Sequence, residues 1–244
     1  MAAVLLTAAV MNLSSAIGKE GQAPIAPEIR GHVTPKRFTV LSAEVAAKIE
    51  TIAAREGERF KEGQTLISFD CSIYKAQMDR ARAISGSADR VLASHRRLVE
   101  LKSAGQLEVE MAALEAAKAR GDMLVIQATL SKCVIQAPFT GKVAEQKARE
   151  QQFVQQGQAL LDILDDSQLE FEFIAPSSWM NKIPVGHTFQ LFCEETNKNY
   201  PARVARMGAK IDPVSQSMKV MAEIQGHFPE LTAGMSGRIV LTAP

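Results

Sequence analysis

The sequence predicts a mainly β protein with an α-helical coiled-coil hairpin inserted into one of its β domains. Three observations support this fold class: a segment at residues 43–70 recurs at residues 137–164, the residues between the copies have helical periodicity, and residues 168–242 contain several short apolar runs. A repeat defines the architectural unit of a chain, and two copies are too few for a solenoid. The copies are therefore expected to pair as halves of one small domain.

Length and composition argue against nucleic-acid binding and against a membrane-spanning helix. The chain has 244 residues, of which 46% are hydrophobic, so it is long enough to bury the cores of one or two domains. Its formal net charge is +1 and 5% of its residues are aromatic, which leaves neither a basic field nor a stacking surface for nucleic acid. No run of eighteen apolar residues occurs, so no ordinary membrane span is predicted.

The first sixteen residues have the apolar core and the small-residue ending of a secretory signal. Small and aliphatic residues extend to Met11, and Ser15 and Ala16 then resemble a cleavage site. The basic residues that normally precede such a core are missing, and the alternatives are a short buried helix or the remnant of an anchor. We expect residues 1–28 to be a signal-like segment and a leader that direct export.

The repeated segment is predicted to form short β-strands joined by glycine turns. Eight positions are identical in an ungapped alignment of the copies: Ala43/Ala137, Lys48/Lys142, Ala54/Ala148, Arg55/Arg149, Glu56/Glu150, Gly63/Gly157, Gln64/Gln158 and Leu66/Leu160. Gly63 and Gly157 occupy matching polar turns, where glycine readily adopts a positive φ angle before an apolar strand begins. Each half is too small to bury its own apolar face, so the halves are expected to pack on each other.

Between the copies, the apolar pattern first becomes that of a long helix. Residues 72–101 contain Ile84, Val91 and Leu98 at seven-residue spacing, which is typical of a coiled-coil seam. The following residues are placed on the same side of the helix: Ala81, Ala88 and Leu101. This side is predicted to face a second helix.

The helical period breaks at residues 103–106 and resumes in residues 107–130. The apolar residues of the second run are three and four positions apart: Ala112, Ala116, Ala119, Met123 and Ile126. This spacing is that of one helix face. The chain is therefore expected to return as an antiparallel helix, and alanine-rich packing allows the two helices to approach closely.

Residues 168–242 are predicted to be mainly β-strands. The short apolar runs are residues 169–174, 188–192, 202–207, 218–224 and 237–241. Proline, glycine and asparagine separate several of them, as is usual where short strands are joined by turns. The pattern favours either a small barrel or a sandwich, with Cys193 as a strand residue.

Two of the three cysteines flank the predicted helical pair. Cys71 precedes the outgoing helix and Cys133 follows the returning one, so an antiparallel arrangement brings both to the base of the hairpin. In an oxidising compartment they would form a disulfide, provided that their Cα atoms lie within about 7 Å. The alternative is a pair of buried free thiols.

No constellation typical of an enzyme or of a metal site occurs in the sequence. The four histidines are isolated, and no Cys-x-x-Cys spacing, His-x-x-x-His spacing or glycine-rich phosphate loop is present. The methionines are scattered, and Met218 and Met221 are the nearest to a soft-metal pair. We therefore predict a non-enzyme with no catalytic residues, no cofactor and no metal ligands.

Three stretches make the sequence resemble a known family. They are EGERFKEGQTLISFD at residues 56–70, CVIQAPFTGKV at residues 133–143, and DPVSQSMKVMAEIQG with the later LTAGMSGRIVL within residues 212–241. Together with the order of half-motif, helical hairpin, half-motif and β region, they resemble the periplasmic adaptors, or membrane-fusion proteins, of the HlyD/RND type over residues 29–242. The resemblance implies that the half-motifs form a lipoyl-like β domain and that the last region forms a small β-barrel domain.

The resemblance also implies domain bounds and partners. Residues 1–28 are then the signal-like segment and leader, 29–70 the N-terminal strand and first lipoyl-like half-motif, 71–131 the α-helical hairpin, 132–166 the second half-motif, and 167–244 the β-barrel domain. The implied partners are an inner-membrane transporter of the RND or ABC type, a TolC-type outer-membrane channel, and further copies of this chain in a ring. The implied location is the periplasm, in association with the inner membrane through the transporter.

The resemblance places channel recognition at the tip of the hairpin. Drug-efflux adaptors share an arginine there, then a leucine four residues later and a serine seven residues after that. In this sequence the pattern falls on Arg97 and Leu101, while Glu108 replaces the serine. These three residues are the candidate channel contacts. The alternative is that Arg97 is a solvated helix charge and that Leu101 belongs to the core of the hairpin.

The predicted function is that of an adaptor subunit in a tripartite efflux or secretion system. A biotinyl or lipoyl carrier is the first alternative, because such carriers resemble the β domain and present a modified lysine on the turn between its halves. Here the hairpin replaces that turn, and the biotin-like tripeptide Met218-Lys219-Val220 lies in a predicted strand. The second alternative is a periplasmic protein that delivers a metal ion or small molecule to a pump, which convergent methionine or histidine side chains would favour.

Overall fold

The computed structural model describes residues 29–240. The predicted signal-like segment and leader, residues 1–28, lie outside the described residues, as do residues 241–244. The described chain is mostly β, as predicted, and its two long helices follow each other in the sequence with no strand between them. Neither of these helices is long and apolar enough to cross a membrane.

The elements have the following bounds. The helices are α1 (Ser72–Glu100) and α2 (Gln106–Ser131), and a short 3₁₀ turn covers Ser177–Trp179. The strands are β1 (Arg30–Pro35), β2 (Phe38–Ser42), β3 (Ala47–Ile52), β4 (Arg59–Phe60), β5 (Thr65–Asp70), β6 (Val134–Gln136), β7 (Gly141–Gln146), β8 (Phe153–Val154), β9 (Ala159–Leu164), β10 (Leu169–Pro176), β11 (Thr188–Cys193), β12 (Lys198–Asp212), β13 (Ser217–Ile224) and β14 (Ser236–Val240).

The two repeated segments build one β-sandwich. Its sheets have the strand orders β2-β9-β7-β4 and β6-β5-β3-β8. The shift that aligns the repeats in the sequence also carries β3, β4 and β5 onto β7, β8 and β9. Both sheets contribute to a single core, which includes Ile49, Leu66, Val143, Leu160 and Ile163. Each sheet contains strands from both copies, so neither copy can form a complete sheet alone.

The matching turns of the two copies have the same construction. Gly63 and Gly157 have φ angles of 75° and 86°, in the left-handed region that favours glycine. The glutamines that follow them close the turns. The N–H of Lys61 donates to the side-chain oxygen of Gln64 at 3.0 Å, and the corresponding bond to Gln158 is 3.2 Å. Local turn chemistry therefore accounts for the identity of both residue types in the repeat.

α1 and α2 form an antiparallel hairpin that leaves the sandwich between β5 and β6. These two strands are hydrogen-bonded neighbours in one sheet, so the chain leaves and returns at adjacent points. An ion pair between Asp89 of α1 and Arg120 of α2, with 2.5 Å between Oδ1 and Nη2, links the helices about halfway along their length. Residues 101–105 connect the helices at the tip.

The seam of α1 differs in phase from the prediction. Ile84, Val91 and Leu98 are exposed, so their assignment to the seam was wrong. The buried residues lie one position further along, at Ser85 and Leu92. The predicted seven-residue period is retained at Met78, Ser85 and Leu92. Ala81 and Ala88, which were predicted for the same side, are half-buried. Leu101, which was placed on the same side, is also exposed.

The seam of α2 follows the prediction. Ala116 and Ala119 are buried against α1. Ala112, Met123 and Ile126 are half-buried along the same side. Alanine at these positions brings the helix backbones close together, which is the packing that the sequence predicted for this helix.

The second β domain is a closed barrel with the strand order β1-β10-β13-β12-β11-β14. Its core includes Phe171, Phe173, Leu191, Tyr200 and Val220. β10 to β14 correspond to the five predicted apolar runs, and the barrel is the correct one of the two predicted architectures. β1 precedes the first half-motif and closes the barrel by pairing with β14. The barrel is therefore assembled from both ends of the described chain.

Candidate functional site

Backbone hydrogen bonds fix the shape of the hairpin tip. The N–H of Ser103 donates to the carbonyl of Leu98 at 2.8 Å, and the N–H of Lys102 donates to the carbonyl of Val99 at 2.9 Å. These bonds form a Schellman motif, which satisfies the last carbonyl groups of a helix. Lys102 has a φ angle of 55° at the position where glycine is usual. The tip is therefore a defined turn that holds neighbouring side chains in place.

Arg97 and Leu101 lie on the same face of the tip. The N–H of Leu101 donates to the carbonyl of Arg97 at 3.1 Å, so the residues are one helical turn apart. Leu101 is 65% exposed and does not belong to the hairpin core. The Arg97 side chain is exposed and has no hydrogen-bond or ion-pair partner within residues 29–240. A free guanidinium beside an exposed leucine can bind carboxylates or carbonyls while apolar surface is buried.

Glu108 has a local structural role that the sequence analysis missed. Its Oε2 accepts a hydrogen bond of 2.9 Å from the N–H of Gly105, the residue before α2 begins. Gly105 has no side chain, so only this half of a capping box can exist. The negative charge also lies at the favourable end of the helix dipole. The sequence signal for this capping role was a glutamate three residues after the position that precedes the helix. The structure does not pair Glu108 with Arg97.

A disulfide closes the base of the hairpin. Cys71 and Cys133 are bonded, and their Cα atoms are 6.2 Å apart. The N–H of Phe69 also donates to the carbonyl of Cys133 at 3.0 Å. The bond joins the residue before α1 to a residue just after α2, and it therefore anchors both helices to the edge of the sandwich.

Comparison with curated proteins finds an efflux pump periplasmic linker and a nodulation protein among the relatives. The antibiotic efflux pump periplasmic linker protein ArpA of Pseudomonas putida is 26% identical over 175 residues, which cover 64% of this chain and 47% of ArpA. The nodulation protein NolF of Rhizobium meliloti is 25% identical over 228 residues, which cover 86% of this chain and 62% of NolF. The chain thus spans between 47% and 62% of the length of these two relatives. No family model matches the chain.

Solved structures of membrane-fusion proteins share the fold. The membrane fusion protein Spr0693 of Streptococcus pneumoniae R6 aligns with a TM-score of 0.74 and 16% identity, over 90% of this chain and 100% of that chain. A MacA–MexA chimeric protein that contains the Pseudomonas aeruginosa MexA α-hairpin domain aligns with a TM-score of 0.75 and 18% identity, over 87% of this chain and 80% of that chain. The named relatives and the shared fold indicate one class of protein. The chain is therefore similar to efflux pump periplasmic linker proteins in sequence and to membrane-fusion proteins in fold.

Two adjacent chain segments join the two β domains. Residues 36–37 lead from β1 of the barrel into β2 of the sandwich, and residues 165–168 lead from β9 of the sandwich into β10 of the barrel. The N–H of Lys36 donates to the carbonyl of Gln168 at 3.0 Å, and the N–H of Asp165 donates to the carbonyl of Arg37 at 2.9 Å. The link between the domains is therefore a hydrogen-bonded pair of segments.

The buried carboxylate of Asp165 stabilises this link. Its Oδ2 accepts a hydrogen bond of 2.9 Å from Nε of Arg37. Its Oδ1 accepts bonds of 2.9 Å from the N–H of Ser167 and of 2.5 Å from the Ser167 hydroxyl. Burial by itself raises the pKa of Asp165, but the hydrogen bonds from Ser167 and Arg37 outweigh it and hold the pKa below its ordinary value.

Replacing Asp165 with asparagine is expected to destabilise the protein at neutral pH and to make its stability less sensitive to acid. The pKa of Asp165 is lower in the folded than in the unfolded chain. The ionised carboxylate therefore stabilises the fold above the unfolded-state pKa, and this stabilisation is lost as the pH falls through the folded-state pKa. Urea unfolding of wild type and Asp165→Asn at neutral and acidic pH measures the effect, with the exposed Glu194→Gln as a control. An equal loss of stability at every pH would contradict this role.

The structure also gives the surroundings of the biotin-like tripeptide. Lys219 lies within β13, opposite Ile174 of β10. Its ammonium group is paired with the carboxylate of Glu172. Met218 and Val220 on either side are buried in the barrel. Lys219 is therefore held in a paired strand, whereas a carrier lysine is presented on a turn.

Two sulfur atoms lie close together in the barrel. Sγ of Cys193 lies 3.9 Å from Sδ of Met235. Met218 and Met221 are three residues apart on β13, so they lie on opposite faces of that strand. Within the part of the chain that the structure describes, no group of three or more histidine, cysteine, aspartate or glutamate side chains is arranged to hold a metal ion.

Proposed function

We propose that this chain is the adaptor subunit of a tripartite efflux or secretion system, linking an inner-membrane transporter of the RND or ABC type to a TolC-type outer-membrane channel. The observation that carries the proposal is the helical hairpin. Its base is anchored to the sandwich by adjacent strands and a disulfide. Its tip presents a free guanidinium beside exposed apolar side chains. This arrangement suits a binding element that extends to a partner.

The mechanism we propose is structural. The hairpins act as coiled coils whose tips dock on the channel, with Arg97 donating hydrogen bonds and Leu101 burying apolar surface. Glu108 supports this surface indirectly by ordering the first turn of α2. The barrel engages the transporter, and several copies surround the transport path as a ring. The protein itself works in the periplasm, after export by its N-terminal segment, and performs no chemical step.

The carrier alternative is less well supported than the adaptor. It requires a modifiable lysine on a turn, and the lysine of the only biotin-like tripeptide is paired with Glu172 inside a strand. The delivery alternative has one observation in its favour, the contact between the sulfur atoms of Cys193 and Met235. Two sulfurs without further soft ligands do not make a transport site for metal ions.

Replacing Arg97 or Leu101 with aspartate is expected to abolish export while the protein still folds. Both side chains are exposed, so the change removes a donor or an apolar contact and places a negative charge in the interface. Efflux is measured as dye accumulation and drug susceptibility in cells that lack the native protein and carry each variant. Circular dichroism and thermal melting of the purified variants verify folding.

The matched control is Lys75→Asp, which changes an exposed cation near the base of the same helix. Efflux in cells that carry this variant is expected to remain at the wild-type level. Wild-type export by both Arg97→Asp and Leu101→Asp would contradict the proposal that these residues contact the channel.

A further inference from the structure

A cleft of about 520 Å³ lies between the sandwich and the barrel. One wall is the outer face of the sandwich sheet that contains β2 and β9, and the other is the outer face of the barrel strands β1, β10, β12 and β13. Lys36, in one of the two segments that join the domains, also lines the cleft. Binding sites for small molecules usually measure about 300–1,000 Å³. The cleft is therefore large enough for a small organic ligand.

The sandwich wall of the cleft is apolar. Phe38 and Val40 occupy alternate positions of β2 and are 73% and 47% exposed. Leu164 of β9 is the register partner of Phe38, so it lies beside Phe38 on the same face of the sheet. Contiguous apolar side chains that remain exposed and are rimmed by polar residues are a mark of a binding groove. This wall can therefore hold the apolar body of a ligand.

The carboxylates of the cleft are already paired with cations of the same chain. Within residues 29–240 the pairs are Asp162 with Lys147, Glu170 with Arg206, and Glu172 with Lys219. The Glu170 carboxylate accepts two hydrogen bonds, of 2.8 and 2.6 Å, from the Arg206 guanidinium. The side chain of Glu170 is 5% exposed, whereas that of Arg206 is 55% exposed. Oδ1 of Asp162 is also buried. The barrel wall therefore presents a guanidinium to a ligand and hides the carboxylate beneath it.

Lys36 adds a positive charge that no carboxylate compensates. Its side chain is exposed, and its ammonium group has no hydrogen-bond or ion-pair partner among the described residues. His32 is the remaining ionisable side chain in the lining, and it adds no negative charge. Because the three carboxylates are paired, the charge of Lys36 is left over. A complementary ligand carries a negative charge.

We propose that this cleft binds a small amphipathic anion, an organic molecule with one anionic group and an apolar body of the size of a medium-chain fatty acid. The anionic group accepts hydrogen bonds from Lys36, and the apolar body packs on Phe38, Val40 and Leu164. A cationic ligand would instead have to displace Arg206 from the buried Glu170 carboxylate. The bound anion contacts both domains and restrains the pair of segments that links them. The site does not depend on the proposed adaptor function, because it needs neither a transporter nor a channel.

Isothermal titration calorimetry of the purified protein tests the chemistry of the ligand. The two probes are sodium laurate and dodecyltrimethylammonium, which have apolar chains of similar length and opposite charges, each used below its critical micelle concentration. Laurate is expected to bind saturably at one molecule per chain and at least tenfold more tightly than the cation. No saturable binding of laurate, or equal affinity for the two probes, would overturn the proposal.

Reversing the charge of Lys36 tests where the anionic group lies. Lys36→Glu is expected to weaken laurate binding at least tenfold, because a charge-assisted hydrogen bond is lost and a repulsion is added. The same variant is expected to bind dodecyltrimethylammonium more tightly than the wild type does. The matched control is Lys75→Glu, an exposed lysine of α1 outside the cleft, which is expected to leave both affinities unchanged. Unchanged laurate binding by Lys36→Glu, or an equal loss in Lys75→Glu, would contradict the assignment.

A second pair of variants tests the apolar wall. Phe38→Ala is expected to weaken laurate binding about tenfold, because the ring no longer covers the apolar chain. Phe153→Ala is the matched control, since Phe153 is 60% exposed on β8 of the other sheet and is expected to have no effect. Equal weakening by both variants would indicate general adsorption to apolar surface and would overturn the site. Circular dichroism verifies that each variant is folded. Neither outcome bears on the tip variants, because no transporter or channel is present.

Discussion

Replacing both Cys71 and Cys133 with alanine is expected to lower the free energy of unfolding by about 4 kcal/mol. The bond closes a loop with a sequence separation of 62 residues. In the chain-entropy model, a cross-link over a loop of this length restricts the unfolded chain by about that amount. The loss is also expected to loosen the base of the hairpin, because the bond holds the start of α1 beside the end of α2. Urea unfolding of the oxidised proteins measures the difference.

Reduction of the wild type supplies the control. A reducing agent is expected to destabilise the wild type by the same amount and to leave the double variant unchanged. Cys193 is the buried free cysteine of the described chain, so Cys193→Ala is expected to retain the full effect of reduction. Three free thiols in the denatured, unreduced protein would contradict the bond.

Replacing Gly141 with alanine is expected to destabilise the sandwich by about 3 kcal/mol. A Cβ at this position would lie 2.0 Å from the backbone carbonyl oxygen of Leu164 and 3.3 Å from the Cα of Asp165. Neither obstacle is a flexible side-chain end, so the backbone of β9 must move. The strain would reach the paired link between the sandwich and the barrel, which begins at Asp165. Urea or thermal unfolding of the purified variant measures the loss.

The repeat supplies a matched control for Gly141. The equivalent residue of the first copy is Ala47, which is buried at the start of β3. The chain after Asp70 enters α1, whereas the chain after Leu164 leads into β10 of the barrel. Ala47→Gly is expected to cost only about 1 kcal/mol, the usual penalty for glycine within an element. Equal losses for the two variants would show that the predicted clash does not occur.

The elements of the two β domains were predictable because their signals are local. The repeat predicted the paired halves, since Gly63, Gly157 and the glutamines after them encode the turns in adjacent residues. The phase of α1 was not predictable from hydrophobicity alone. Ile84, Val91 and Leu98 repeat every seven residues, but the buried residues Ser85 and Leu92 have the same period one position later. Exposed apolar residues beside the seam therefore make the phase of a seven-residue pattern ambiguous by one position.

The candidate site was predictable only in part. The resemblance to drug-efflux adaptors indicated Arg97 and Leu101 at the tip, but the exposure of both side chains and the absence of a partner for Arg97 could be read only from the structure. The role of Glu108 could be predicted from the sequence, because it lies three residues after Gly105, and a glutamate at that spacing supplies one of the two hydrogen bonds of a capping box. The contribution of β1 to the barrel was not readable, because strand pairing between distant segments leaves no local signal.

The proposed adaptor function requires that this chain contacts membrane proteins through both its hairpin tip and its barrel. Photo-cross-linking in intact cells tests it most directly, with the reactive residue placed at Leu101 of the tip or at Val214 of the barrel. Val214 is 92% exposed in the turn between β12 and β13. Mass spectrometry is expected to identify an outer-membrane channel captured from Leu101 and an inner-membrane transporter captured from Val214. Capture of soluble enzymes alone from both positions would contradict the adaptor function.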